Sequence, residues 1–294
     1  MTNGTRECLC DLVQPIGNLD CDPWEETLAG SFPDEQFGAA LVTADFDCDG
    51  DDDLSVGAPA AALPSNGPDL IPEGGAVYVY RSTDAGIGSA LPTVLRQGAY
   101  EVGGTPEQGD RFGQTLTAGN FNGARRVAND RSCYDLVVAA PGEDGDAGQI
   151  QIFEGGPNGC GSHSDHAARE TARRSGLLFD DVTMIRQGFD QFAGVDEAGD
   201  EFGFALTWTI VSHPTTGFPL RILAVGIPGE NQQVGQLRLY RAQPPPPGSQ
   251  ALLFTDFMMF EQGDINGDLV SGDRFASVLM PARAFTQRPW EFLP

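Results

Sequence analysis

The 294-residue chain carries a formal charge of −25, from 42 acidic against 17 basic residues, and every basic residue is Arg. Phosphate neutralisation needs a basic face, so this balance argues against nucleic acid or an anionic membrane as a partner and makes cations the natural ones. Forty per cent hydrophobic residues, 38 Gly and 21 Pro with little helical patterning point to an all-β chain of short strands and tight turns, long enough to bury a sizeable core.

In chain order, residues 1–29 form a tail containing Cys8, Cys10 and Cys21. Met1-Thr2-Asn3-Gly4-Thr5-Arg6 lacks the apolar core of a secretion signal, so any export signal is expected outside this stretch. No apolar run reaches the roughly 18 residues of a membrane-spanning helix. With Cys48, Cys133 and Cys160 the cysteines make an even set that permits 15 pairings; within the tail cluster no Cys-x-x-Cys pair supports zinc, so disulfides or free thiols are expected there.

From about residue 30 a pattern recurs. Phe37-Gly38 opens a strand that leads into the acidic run Asp45–Asp53 and out through Leu54-Ser55-Val56-Gly57-Ala58-Pro59. Gly75–Tyr80 then alternates with the period of two of a half-buried strand, and Val94-Leu95-Arg96-Gln97 closes the unit. Phe112-Gly113, Ala139-Ala140-Pro141, Gly148–Phe153 and Met184-Ile185-Arg186-Gln187 repeat that order. Phe202-Gly203, Gly226-Ile227-Pro228, Gly235–Tyr240 and Met259-Phe260-Glu261-Gln262 repeat it again, and Phe275-Ala276 starts a fourth unit. The distance from each closing Gln to the next Phe stays nearly constant (97 to 112, 187 to 202, 262 to 275), while insertions vary the rest. Four strands per unit, repeated radially, is the pattern of propeller blades.

The acidic run reads as a cation site. Asp45, Asp47, Asp49 and Asp53 stand at positions one, three, five and nine, Gly50 at six permits a sharp turn, and Asp51 at seven can offer its carbonyl, a spacing of hard oxygen ligands suited to Ca²⁺. Six carboxylates in nine residues repel at ~4 kcal/mol per unit-charge pair at ~4 Å and an effective dielectric of ~20, so a compact loop calls for a divalent ion. An EF-hand needs Glu at position twelve and flanking helices, whereas Val56 stands there inside a strand pattern. The loop is therefore expected to connect a hairpin, with a solvated acidic turn as the plainer alternative.

The Phe-Gly pairs, the Gly/Ala-x-Pro triplets at 57–59, 139–141 and 226–228, and the acidic loop between them resemble the FG-GAP repeats of integrin α-subunit propellers and, more closely, of bacterial tandem FG-GAP proteins. The resemblance spans about residues 30–280. It implies a seven-bladed β-propeller with calcium in hairpin loops on one face and ligand recognition by loops on the other. This chain departs from that: it supplies about three complete blades (30–100, 101–190, 191–264) and a partial fourth with a divergent tail (265–294), an incomplete ring expected to need more blades.

Carried to the second unit, the ligand frame falls on Asn120, Asn122 and Asp135, a weaker set facing the inserted arginines Arg125, Arg126 and Arg131. In the third it falls on Ile210, Ser212 and Ile222, which offer no carboxylate. Asp264-Ile265-Asn266-Gly267-Asp268 looks like a calcium loop in isolation, but the register places it between blades. Cys160, His163 and His166 lie in a polar insertion, and Pro244–Pro247 reads as a spacer. With three His in the chain, no nucleophile can be set beside a base, so no catalysis is expected. The expectation is an extracellular or cell-surface scaffold for adhesion, with structural Ca²⁺ and a protein or glycan ligand on the face opposite the acidic loop. A non-catalytic accessory propeller of a larger secreted enzyme is the alternative.

Overall fold

A computed structural model describes Leu28, Gly30 and residues 34–280 except 65–69, 84–85, 88–90, 100–101, 124, 127–130, 157–176, 178–181, 190–191, 214, 244–252 and 267–270. The tail cysteines, the Cys160/His163/His166 insertion and the polyproline run thus lie outside the described residues.

The chain forms three four-stranded antiparallel sheets, the blades of a partial β-propeller. In the first, β1 (Ala40–Ala44), β2 (Asp53–Ala58), β5 (Ala76–Tyr80) and β6 (Thr93–Leu95) pair in that order, and a small ribbon of β3 (Leu63–Pro64) and β4 (Leu70–Ile71) rises from the β2–β5 connection. The second sheet runs β7 (Thr115–Gly119), β10 (Asp135–Ala140), β11 (Gln149–Phe153) and β12 (Thr183–Ile185), with the ribbon of β8 (Arg125–Arg126) and β9 (Arg131–Ser132) between its first two strands. The third runs β13 (Ala205–Ser212), β14 (Pro219–Ile227), β15 (Gln236–Gln243) and β16 (Leu253–Glu261). The first strands β1, β7 and β13 lie against one another, so each blade starts on the inner side.

Apolar side chains between adjacent blades form the core. Val77, Val79, Leu95, Phe112, Leu136 and Val138 fill the first interface, and Ile150, Ile152, Phe202, Leu223, Val225 and Tyr240 fill the second. Each such large side chain removed from water stabilises by roughly 1.5–3 kcal/mol. One expectation is modified here. β5 and β11 are buried at every position because neighbours cover both faces, whereas β15 keeps the half-buried alternation.

The Phe-Gly motif is a dock between blades. Asp144, Gly145 and Asp146 (φ 51°, 74° and 67°) form a left-handed turn. That turn directs the Asp146 carbonyl to the N–H of Gly199 (3.1 Å) and Glu201 (2.7 Å), and the Ala147 carbonyl to the N–H of Phe202 (3.0 Å). Gln233 and Val234 receive Gly272, Arg274 and Phe275 in the same way, and Pro72, Glu73 and Gly74 receive Gly109, Arg111 and Phe112. Contact is so close that a Cβ on Gly148 would stand 2.4 Å from the Phe202 carbonyl oxygen, which is why glycine recurs before each third strand. Phe275 and Ala276 dock on the third blade by the same contacts, so a fourth unit begins in register.

Candidate metal centre

The loop 45–52 connects β1 to β2, whose register runs from Ala40↔Gly57 to Ala44↔Asp53, so the acidic run is a hairpin connection as expected. Phe46 anchors it, fully buried in the core between the first two blades. Cys48 (φ 61°) and Gly50 (φ 101°) then turn the chain through left-handed conformations. The Asp49 N–H donates to Asp45 Oδ1 (3.0 Å) and Asp47 Oδ1 (3.1 Å), and the Asp51 N–H to Asp49 Oδ1 (2.9 Å).

These bonds draw Asp45, Asp47 and Asp49 together, each offering an oxygen within 4.8 Å of the others. Asp51, whose contribution by spacing is its carbonyl, has an exposed side chain. Asp53, placed among the ligands by its spacing, is fully buried and bonded on both oxygens to backbone: the Phe46 N–H reaches Oδ2 (3.1 Å) and the Ser82 N–H reaches Oδ1 (2.9 Å). It ties the hairpin to the exit of β5. Burial pushes its carboxyl up to about 7, against those two N–H bonds. Burial and the Asp49 charge also push Asp45 above the usual carboxylate range.

Two features had no reading in the sequence. Arg81, just after β5, forms an ion pair with Asp47, and its guanidinium lies 3.8 Å from Asp49. One positive charge against three carboxylates leaves the cluster negative. Cys48 is bonded to Cys133, across 85 residues of sequence with a Cα–Cα distance of 4.8 Å, so the acidic hairpin is tethered to the matching hairpin of the second blade. The Tyr134 N–H adds a backbone bond to the Asp45 carbonyl (3.0 Å).

In the second blade Asp135 repeats the part played by Asp53. The Phe121 N–H donates to its Oδ2 (2.8 Å) and the Gly155 N–H to its Oδ1 (3.0 Å), and burial pushes its carboxyl up to about 8. Asn120 is buried, and Asn122 Nδ2 donates to Glu154 Oε2 (3.0 Å). Of the three only Asp135 is an acid, and both its oxygens are taken by backbone N–H groups. In the third blade Ile210, Ser212 and Ile222 lie inside the β13–β14 ladder, paired with Arg221, Pro219 and Thr209. Asp264 caps the end of β16 by accepting the Glu261 N–H (2.8 Å), in the connection that leads out of the third blade.

The FG-GAP repeat family profile matches residues 37–80, which hold the acidic hairpin and three strands of the first blade. Human phosphatidylinositol-glycan-specific phospholipase D is 33% identical over 154 residues, 50% of this chain and 16% of that protein. Integrin alpha-4 of Xenopus laevis is 32% identical over 123 residues, 42% of this chain and 10% of its own length. The bovine phospholipase of the same name is 33% identical over 134 residues, 45% of this chain and 14% of the relative. The chain therefore spans less than a fifth of these relatives. Residues 37–80 are thus an FG-GAP repeat, and the same strand order recurs in the second and third blades. Among the described residues no helix is long and apolar enough to cross a membrane.

Proposed function

We propose that this chain is a calcium-braced, extracellular segment of an FG-GAP propeller that serves adhesion or ligand binding without catalysis. Its protein or glycan ligand would meet the loops at the Phe-Gly end of the blades, opposite the acidic hairpin. The observation that carries the reading is the convergence of Asp45, Asp47 and Asp49 oxygens within 4.8 Å on the hairpin of the FG-GAP segment. Hard oxygens at that spacing suit Ca²⁺ at its usual ~2.3–2.6 Å. In this reading Ca²⁺ takes the place Arg81 holds and the guanidinium moves outward. The Cys48–Cys133 disulfide supports an oxidising compartment. His213 accepts the Thr215 and Thr216 N–H groups on Nδ1 (both 3.2 Å), the bonding of a turn cap.

Melting the chain with and without chelator tests this. EDTA is expected to lower the melting temperature by about 5 °C or more, the order given by an ion present at ~100 times its Kd. Asp47→Ala is expected to remove most of that shift, and identical parent curves with and without EDTA would sink the calcium claim. A second reading, the accessory propeller of a larger secreted enzyme, is supported by the phospholipase relatives, of which this chain spans 16% or less. The reading frame around the chain separates the two: further repeats favour the scaffold, an adjoining catalytic domain the accessory.

A further inference from the structure

The two outer walls of the three-blade stack are finished differently. On the first blade, the wall turned away from the second blade carries Tyr78 and Tyr80, which are 2% and 4% exposed. Residues ahead of the first strand cover it. Leu28 and Phe37 pack on its apolar cluster, and Phe37 meets the Tyr78 ring edge-on at 5.2 Å. The Tyr78 hydroxyl donates to the buried Glu35 (2.8 Å). A segment outside the four strands thus does here what a neighbouring blade does elsewhere.

The far wall of the third blade is left barer. Strand register places Leu237, Leu239 and Phe260 where the second blade has Ile150, Ile152 and Ile185 and the first has Val77, Val79 and Leu95. The residues of the first two blades are at most 1% exposed, because the next blade packs on them. Leu237, Leu239 and Phe260 are half-buried. Phe275 docks at the Phe-Gly end of this wall through its N–H to the Val234 carbonyl (2.9 Å), yet it too is half-buried, whereas Phe112 and Phe202 are fully buried. Beyond it, Val278 and Met280 are 76% and 81% exposed. A contiguous apolar wall of this kind marks an association surface, and a stack of repeats needs its terminal faces capped.

The stretch that follows Met280 suits the wall. Residues 281–294 hold Phe285, Trp290, Phe292 and Leu293, with Arg283 and Arg288 against Glu291 in a chain whose net charge is −25. Pro281 stands six residues after Phe275, where the first strands carry Thr43, Ala118 and Trp208 in ladder pairs. A proline there withdraws an N–H from any ladder the fourth unit could form. At ~3.3 Å per residue the stretch reaches ~46 Å, against ~14 Å across four strands spaced ~4.8 Å apart. It continues directly from the docked Phe275, so it starts at the wall it has to cover.

We propose that residues 281–294 of this chain cap the far wall of the third blade, seating their aromatic side chains on Leu237, Leu239 and Phe260 as Leu28 and Phe37 cover the wall of the first blade. No further blade stacks on that wall while the segment is seated. The cap involves neither the acidic hairpin nor the ligand-binding loops, so it stands or falls apart from the calcium reading.

The test places photoreactive benzoylphenylalanine at position 290 of the full chain. Irradiation is expected to link that position to β15 or β16 within one chain, as read by peptide mass spectrometry. Links between two chains make the wall a dimer face, and links to residues following 294 in a longer protein make it a blade junction; either result, or no link to these strands, overturns the cap. In parallel, Trp290→Ala combined with Phe292→Ala leaves all three sheets untouched. It is expected to raise binding of an apolar dye at least twofold and to lower the urea midpoint. Dye binding and midpoint both equal to the parent's overturn the proposal as well.

Discussion

The first hairpins of the first and third blades start alike and end differently. In the first, five pairs of β1 and β2 close at Ala44↔Asp53, and the chain then turns through the acidic loop. In the third, eight pairs run on to Ser212↔Pro219, so the position matching Asp53 is Ile222, opposite Thr209 within the ladder. The added length carries aromatic surface: Trp208 stacks edge-on against Phe121 (5.8 Å) and Tyr134 (6.3 Å) of the second blade. A blade can thus finish its inner hairpin by extending the ladder and packing aromatics on its neighbour. Alternatively it can stop short and hold a compact acidic loop with a buried carboxylate brace and a disulfide. The second blade is intermediate, keeping the brace Asp135 and the tether Cys133 but having Asn at the ligand positions.

The tether is where this comparison breaks most visibly. Cross-linking 85 residues of sequence removes about 4–5 kcal/mol of denatured-chain entropy in the loop-closure picture. Cys133→Ser is expected to lower the denaturant midpoint by that order and to loosen the acidic loop, so that calcium binding weakens as well. If denaturation and calcium affinity both match the parent, the short hairpin does not need its tether.

Next in size are the braces. Asp135→Asn leaves one of the Phe121 and Gly155 N–H groups facing an amide instead of an oxygen, at a cost of about 1–3 kcal/mol. The pH dependence follows from burial. Asp135 is raised from 3.8 to about 8 in the folded chain, which therefore keeps a proton the unfolded chain releases. The stability so gained is present below about pH 4 and is lost as pH rises through about 8. Asn does not titrate there, so the gap between parent and Asp135→Asn is expected to narrow between pH 5 and pH 8. Urea titrations at the two pH values measure it, and a gap that widens instead would mean the anion is the favoured native form.

Much of the architecture was legible because docking and strand pairing each demand a residue type at a fixed phase. Phe112 and Phe202 are buried where they dock, the Gly before each third strand must admit a carbonyl, and the period of two marks β15. The acidic hairpin was legible as a loop for the same reason. The assignment of Asp53 as a ligand was not separable from its role as a brace, because both use a carboxylate at that spacing. Only the fold shows that Phe46 and Ser82 direct their N–H groups onto it. Arg81 and Cys133 were illegible because their partners are distant in sequence or in another blade.

The smallest expected effect bears on the end of the repeat. Gly38, Gly113 and Gly203 follow the motif Phe with φ of 93°, 89° and 89°, but the fourth unit places Ala276 there with φ 63°. A left-handed alanine costs about 1–2 kcal/mol relative to its right-handed form, while glycine adds roughly 0.4–1 kcal/mol of freedom to the unfolded chain. Ala276→Gly is therefore expected to stabilise by about 0.5–1 kcal/mol, read as a small rise in urea midpoint with an unchanged slope. The gain requires that Phe275 be docked on Val234, because only then is the following residue held in this conformation. A loss of stability would mean that the fourth unit spends its time undocked and that the entropy of the unfolded chain decides the sign.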